Sequence, residues 1–478
     1  MAPFNPNNSR RKAINTSSPA ERGVAKRNLR KRTRGGTRSL GPADESSSQD
    51  RLSALPQDML FYILTLVSLH DAARIAVLSK EWWHLFSECQ SDTIDDKYVC
   101  PERPRLETSL RCHLWEQRSH RISGALFDSY IKDRPIRRLI IKQTLPSSEE
   151  ISYWLNMLSL DAVVEEIVLE MPCPELCLPH FIFNCSSLRT LSLSNFRWPH
   201  IGGPYGVSTS YIPSWTLPVL AELTLRLMDM TVHNVMDFLR RCPALLSLSL
   251  CFPRRGGSLI IRCKNLLSLT IDGGNKSANY NSVGVEEAPK LERLLTRPPT
   301  LKLGVAARGA MPRLHTAGVF QKYGLQVVWE QLRTVALITN LDDSSEVQQA
   351  IMSLHNMPNL ETFHMQMKNG PSDAKGKSTS FEKIAGGPIK CLESSLKKVV
   401  LRVQYMSRRK LEFVNFLLGA AKVLKSMLIC NNRMGGELLH PESRGSPGAQ
   451  VVFLQNNKYT LELNTSASNY KLADPFML

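Results

Sequence analysis

Cys173, Cys177, His180 and Cys185 place four soft donors in one short stretch, and thiolates with an imidazole are the groups that hold zinc tetrahedrally. Their intervals are not those of a zinc knuckle. The stretch therefore reads as structural, with Cys185 a small buried thiol. His364 followed by Met365 and Met367 is a second soft set, but strand alternation turns Met365 inward and accounts for it as packing. No P-loop, GxSxG, HExxH or dinucleotide glycine pattern occurs, and Gly202-Gly203-Pro204-Tyr205-Gly206 is loop punctuation. No catalytic residue, metal or cofactor is expected. What remains is electrostatic: Lys26, Arg27, Arg30, Lys31 and Arg32 form a cationic cluster that a nuclear-import receptor or a phosphate backbone could hold, or that only keeps a tail solvated.

The elements that must carry these residues sit in a chain of 478 residues, 42% hydrophobic and 22% charged, which excludes a disulfide miniprotein and a wholly disordered chain. The formal charge is +17, and Arg10 to Arg38 contributes eleven basic residues against the single acid Glu21. Residues 1–49 are polar and nearly free of aromatics, so they read as a disordered basic arm. Phe4 is its one aromatic and no folded reader adjoins it, so nucleic acid is not the expected partner. Eleven dilute cysteines fit a reducing intracellular compartment, with the nucleus expected from the arm and the cytoplasm as a second location. The first twenty residues lack an apolar h-region and the longest apolar stretch, Met59 to Leu69, is too short to span a bilayer, so a soluble protein with no secretory signal and no membrane partner is expected.

Residues 50–95 change character. Leu60, Ile63, Leu64 and Val67 follow i, i+3, i+4, i+7 spacing, and Ala73, Val77, Leu78, Trp82 and Leu85 begin a second stripe after Asp71. Two or three short helices are expected, with leftover apolar surface seeking a partner. The run Leu55-Pro56, Asp58, Leu60, Ile63-Leu64, Leu69, Asp71, Arg74, Val77-Leu78-Ser79-Lys80, Trp82 and Leu85 resembles the F-box. That resemblance implies docking on the Skp-type adaptor of a cullin-RING ubiquitin ligase through Leu55, Pro56, Leu60, Ile63, Leu64 and Leu78; some of these residues would in any case form the core of the helical module. Glu81 and Trp83 depart from the basic residues common beside the matching tryptophan, and Gln57 stands where an acid is frequent.

Residues 96–385 repeat a template of apolar residues at positions 1, 4 and 6: Ile136/Leu139/Ile141, Val164/Ile167/Leu169, Leu188/Leu191/Leu193, Leu220/Leu223/Leu225, Leu245/Leu248/Leu250 and Leu266/Leu269/Ile271. Leu291/Leu294 is incomplete at Thr296 and Leu314/Ala317/Val319 is weak. Leu332/Val335/Leu337 and Leu360/Phe363/Met365 resume it, and Leu396/Val399/Leu401 and Leu424/Met427/Ile429 carry it beyond. The template resembles leucine-rich repeats, which implies an α/β solenoid with a curved parallel sheet. Positions 4 and 6 point inward together, and positions 3, 5 and 7 line the opposite, concave face. Those positions hold short polar residues such as Ser192, Thr224 and Ser249, with Glu222, Arg226, Arg293, Arg297 and His364 as candidate client-binding residues or as simply solvated strand positions. The asparagine that often bonds the loop after such a strand is missing, its places being taken by Phe196, Met228, Pro253 and Gly274, so irregular repeats are expected.

Ile151 to Leu169, with Trp154-Leu155, and Leu178-Pro179 through Cys185 to Asn195 resemble the opening repeats of plant-type F-box/LRR proteins. Cys391-Leu392, Leu396 to Val399, Glu412-Phe413, Phe416-Leu417-Leu418, Ala421 to Leu424 and Ser446 to Phe453 resemble the FBD domain, placed at 386–455 with a tail at 456–478. The implied architecture is a small helical F-box, an irregular repeat solenoid and an FBD cap of strand, helix and strand. The implied function is a non-catalytic substrate receptor of a Skp-cullin-F-box E3 ubiquitin ligase that grips an unknown client protein through its repeats. Two alternatives stand beside it, a nuclear nucleic-acid-associated regulator acting through the basic arm and a ligase-independent binding scaffold.

Overall fold

The computed structural model describes residues 55–66, 74, 75, 77–88, 92–99, 108–131, 133, 135–161, 163–172, 176–199, 215–251, 258–272, 282–297, 311–320, 328–369, 379–430 and 440–454, and of the C-terminal stretch 461, 467, 471, 472 and 474–476. The basic arm, with its proposed import cluster, lies outside them, as does the loop at Gly202. Residues from Pro56 onward form one compact unit.

Two helices open it. In α1 (Gln57–Leu66) the amides of Met59 and Leu60 donate to the Pro56 carbonyl, and in α2 (Lys80–Glu88) the Ser79 hydroxyl caps the N-terminus by accepting from the Trp82 amide at 3.2 Å. The two helices pack together, with Leu60, Leu64, Trp82 and Leu85 buried.

The rest is built on one parallel sheet of fourteen strands. Its order is β1 (Thr93–Asp95), β2 (Arg138–Ile141), β3 (Glu166–Glu170), β4 (Thr190–Ser194), β5 (Glu222–Arg226), β6 (Ser247–Cys251), β8 (Ser268–Asp272), β10 (Arg293–Arg297), β11 (Thr316–Phe320), β12 (Thr334–Thr339), β13 (Thr362–Met367), β14 (Lys398–Val403), β15 (Ser426–Cys430) and β16 (Gln450–Leu454). Every LxxLxL template of the sequence lands on one of these strands, including the incomplete and the weak one. The reason is the register. Leu191 pairs with Leu223, Leu223 with Leu248, Leu248 with Leu269 and Leu269 with Leu294, so like positions stack into a continuous buried ladder. Thr296, polar at an inward position, donates its hydroxyl to the Gly318 carbonyl of the next strand at 3.4 Å.

Helices cover the inward face: α3 (Asp96–Val99), α4 (Thr108–Ile131), α5 (Ser148–Asp161), α6 (Val232–Arg240), α7 (Ser344–His355), α8 (Phe381–Ala385), α9 (Lys390–Ser394) and α10 (Arg408–Ala420). Ser147 and Glu150 form a capping box at α5, and Asp343 caps α7 by accepting from the amides of Ser345 and Glu346. A second parallel pair, β7 (Ser258–Arg262) with β9 (Ser282–Glu287), adds Leu259, Ile261 and Val285 to the same core, against α6. This pair and the uneven helix lengths are the irregularity the missing asparagines implied. Phe196 and Met228 stand in the asparagine places as buried core residues. The loop bond is made one position earlier, where Asn195, at φ 62°, donates its side-chain amide to the Met171 carbonyl at 2.5 Å.

The junction after the helical module is pinned by Asp96, whose buried carboxylate accepts from the amides of Lys142, Gln143 and Thr144 at 3.0, 2.6 and 2.7 Å. At the other end β14, α10 and β15 make a strand, helix and strand that continue the ladder, and β16 extends it by one more strand. Ser407 caps α10, whose Phe413 and Phe416 pack with Phe381, and the Arg409 guanidinium lies 4.0 Å over the Phe381 ring.

Candidate functional site

Among the described residues no cluster of three or more His, Cys, Asp or Glu side chains is placed to hold a metal ion. Cys173 lies outside them; Cys177 and His180 are exposed, whereas Cys185 is buried, its thiol pushed up to about 12 by that burial. Nor is any described helix long and apolar enough to cross a membrane.

The helical module divides the residues expected at the adaptor interface into two sets. Leu60 and Leu64 are turned inward, and Leu64 is only 2% exposed, so neither can touch a partner while the module stays folded. Ile63 and Leu55 are half-buried, while Pro56 is exposed and Leu78 is 75% exposed. The outer surface instead carries Met59, Tyr62, Val77 and Trp83, all exposed and none of them among the residues expected at the adaptor. The sequence carries them as a second stripe without saying which stripe is the core: Met59 and Tyr62 are spaced i, i+3 on the face opposite Leu60 and Leu64, and Trp83 is the outward neighbour of the buried Trp82. Such an exposed apolar set is the kind of surface a protein partner covers.

The concave face departs from an open, solvated row. Glu222, Thr224, Ser247, Ser249, Ser268, Thr270, Asp272, His364 and Arg402 all occupy alternate positions and all are buried. Arg226 and Arg293 are half-buried, and the Arg297 side chain is outside the description. At four of these side chains the covering element is the protein's own C-terminus. The Leu461 amide donates to Gln366 Oε1 at 2.8 Å and the Ala467 amide to the Thr224 hydroxyl at 3.1 Å, while Lys471 pairs with Glu222 at 2.6 Å.

The densest part of this contact lies on β10 to β14. His364 Nε2 and Asp474 Oδ2 are 3.1 Å apart, Lys398 Nζ stands 3.7 Å from the same oxygen, and Arg402 donates to the Phe476 carbonyl. The Phe476 ring sits in a small apolar cluster with Leu295, Ala336 and Leu461, 5.3 Å from the His364 ring. Arg402 Nη1 approaches His364 Nδ1 at 3.5 Å; since a guanidinium only donates, Nδ1 is the acceptor and Nε2 carries the hydrogen given to Asp474. Burial, helped by Arg402 and Lys398 against Asp474, holds His364 below its ordinary range and therefore neutral. Burial raises Asp474, but the His364 hydrogen bond, the Phe476 amide and Lys398 outweigh it and hold the carboxyl low. Lys398 and Arg402 were legible as positions 3 and 7 of the Leu396 template; Asp474 and Phe476 had no repeat to announce them.

Comparison with known proteins accords with this architecture. The description "FBD-associated F-box protein At5g56370, LRR repeats" matches residues 151–365, and that of the FBD domain matches residues 386–429. The chain is similar to the F-box/FBD/LRR-repeat protein At1g13570 of Arabidopsis thaliana, at 26% identity over 86% of this chain and 99% of that protein. It is also similar to the FBD-associated F-box protein At5g60610 of the same plant, at 23% identity over 80% of this chain and 99% of the relative. A shorter likeness, to the F-box/LRR-repeat protein At4g14103, reaches 40% identity over 12% of this chain and 16% of that protein.

Proposed function

Because the chain belongs to the plant-type F-box/LRR/FBD family, we propose that it is the substrate-receptor subunit of a Skp-cullin-F-box E3 ubiquitin ligase. In this reading the helical module docks on a Skp-type adaptor and the repeat sheet grips a client protein. The chain performs no bond chemistry. It raises the effective concentration of client lysines beside a ubiquitin-charged enzyme, converting an encounter into a quasi-intramolecular step.

The observation that carries the reading is the pairing, in one chain, of a small helical module whose Met59, Tyr62, Val77, Leu78 and Trp83 face solvent with a long parallel repeat sheet. A module of that size buries little surface of its own, and a hydrophobic partner surface supplies the rest. The docking set is thus Pro56, Leu78 and the newly found outer residues, with Leu60 and Leu64 supporting it from beneath. Nuclear placement through Lys26, Arg27, Arg30, Lys31 and Arg32 is part of the same proposal.

The test is co-purification of the adaptor with the wild-type chain and with a Leu78→Asp, Trp83→Asp variant. Retention by the wild type and loss by the variant supports the reading. Absence of adaptor from both would leave the binding scaffold as the better account, for which Glu81 and Trp83, departures from the usual F-box pattern, are the sequence support.

A further inference from the structure

We infer that the concave face of β10 to β14 is a recognition pocket for a peptide bearing a carboxylate two residues before an aromatic ring, and that Asp474-Pro475-Phe476 occupies it as a built-in competitor of the client. The inference rests on the receptor reading for the word client, but the pocket stands on its own geometry.

Asp474 and Phe476 each meet a matching group in the sheet. The carboxylate of Asp474 meets the His364 Nε2–H, with the Lys398 ammonium beside it, and its second oxygen accepts the Phe476 amide at 3.0 Å, folding the three residues into a turn. That turn swings the ring into an apolar recess floored by Gly318, Ala336 and Leu295, where a Cβ on Gly318 would stand 2.3 Å from the ring. Arg402, buried, reads the backbone by donating to the Phe476 carbonyl. Two cations, a neutral imidazole donor and a recess sized for a ring are chemically complementary to an acidic-x-aromatic turn.

The arrangement has the form of an intramolecular ligand. Among the described residues, Leu461 and Phe476 of the tail belong to a small cluster on the outward positions of the strands, separate from the repeat core. Released, it would expose a surface already shaped for a peptide of its own chemistry. A client carrying such a turn would bind only by displacing it, so the tail sets a threshold of client concentration or affinity.

The probe is a fluorescent octapeptide of residues 471–478, Lys-Leu-Ala-Asp-Pro-Phe-Met-Leu, titrated into the full-length chain. A Phe476→Ala chain, shown to melt cooperatively, should bind it at least tenfold more tightly than the wild type. Adding Gly318→Val to that chain should abolish binding, as should replacing aspartate by asparagine or phenylalanine by alanine in the peptide. Equal binding to wild type and Phe476→Ala, or indifference to Gly318→Val, would overturn the proposal. A second reading avoids variants altogether. Saturating peptide should speed tryptic cleavage after Lys471 of the wild type at least fivefold, and no acceleration counts against the pocket. Adaptor retention is measured on the same preparations. Peptide binding without adaptor sinks the ligase reading and leaves the pocket, whereas adaptor without peptide binding sinks the pocket alone.

Discussion

Phe476 lies against Gly318 so closely that the ring occupies the volume any larger residue there would need, with a Cβ falling 2.3 Å from Cζ and 2.5 Å from Cε1. Glycine at this concave position is therefore explained by the tail. Gly318→Ala is expected to expel the ring and leave the sheet intact, because both atoms nearer than 3 Å belong to a side chain that can leave, while Ala336 Cβ on the next strand, at 3.2 Å, has to give only a few tenths of an ångström. The cost is the burial of one aromatic, about 1.5–3 kcal/mol. Thermal unfolding should shift by a few degrees at most, and tryptic cleavage after Lys471 should accelerate. A variant that melts far earlier, with the tail still protected, would contradict this.

Burial of His364 and the contacts of Asp474 give the folding stability of the chain a pH dependence of definite sign. His364 is neutral in the folded chain, its affinity for protons lowered first by burial and further by Arg402 and Lys398. Below about pH 6.5 the imidazole of the unfolded chain takes up a proton that the folded one does not, so folding stability is lost as pH falls from there through the lowered value. Asp474, also held low, adds a loss in the same direction at more acidic pH. The thermal midpoint should thus fall between pH 8 and pH 5 in the wild type, and fall less in His364→Gln. Parallel pH curves for the two chains would remove His364 from the account.

The repeat sheet was legible because parallel register makes the same residue type recur at the same place, so each Leu-x-x-Leu-x-Leu reports on its neighbours as well as itself. Strand β16 lacked the template, its residues being noted only within the FBD resemblance, and β1 escaped notice, as did β7 and β9, whose Leu259, Ile261 and Val285 add a strand pair to the core. The helical module was legible by periodicity, yet which of its apolar residues face outward was not. Leu60 and Met59 differ only by the 100° between successive helix positions, and either face could have been the core. The concave surface was legible as polar and opaque as to exposure, since nothing in the strands says that Asp474 and Phe476 return to cover them.

Asp96 joins the first strand of the sheet to the turn after the second. Its three acceptor contacts with the amides of Lys142, Gln143 and Thr144 satisfy donors that lie largely out of water. Asp96→Ala leaves those donors without the carboxylate, at a cost on the order of 3 kcal/mol or more, while Asp96→Asn keeps one acceptor oxygen and loses less. Chemical denaturation should rank wild type above asparagine and asparagine above alanine; an alanine variant as stable as wild type would show that the turn finds other partners.

Thiol reactivity separates the buried cysteines from Cys177. Burial pushes Cys185, Cys242 and Cys391 up to about 12 and Cys263 up to about 11, so almost no thiolate exists there at neutral pH. Brief alkylation of the native chain followed by peptide mapping should modify Cys177 and spare these four, and the same treatment in denaturant should modify all five. Modification of Cys185 in the native chain at the rate of Cys177 would mean that the repeat at Phe181 to Leu191 opens readily.

The division of the helical module into inner and outer residues predicts opposite phenotypes for two leucines one helix apart. Leu64 is 2% exposed, and Leu64→Ala removes buried methyl groups from a core too small to repack, at about 2–5 kcal/mol. Leu78 touches solvent over most of its surface, and Leu78→Ala should leave stability within about 0.5 kcal/mol of the wild type. Adaptor retention then reports different things in the two chains. Leu64→Ala loses it because the module unfolds, and lower temperature should restore it in part. Leu78→Ala weakens it with the fold intact, so temperature should bring no recovery beyond that of the wild type. If Leu78→Ala binds the adaptor as the wild type does, the docking surface lies elsewhere on the module, and Met59 with Tyr62 become the residues to change.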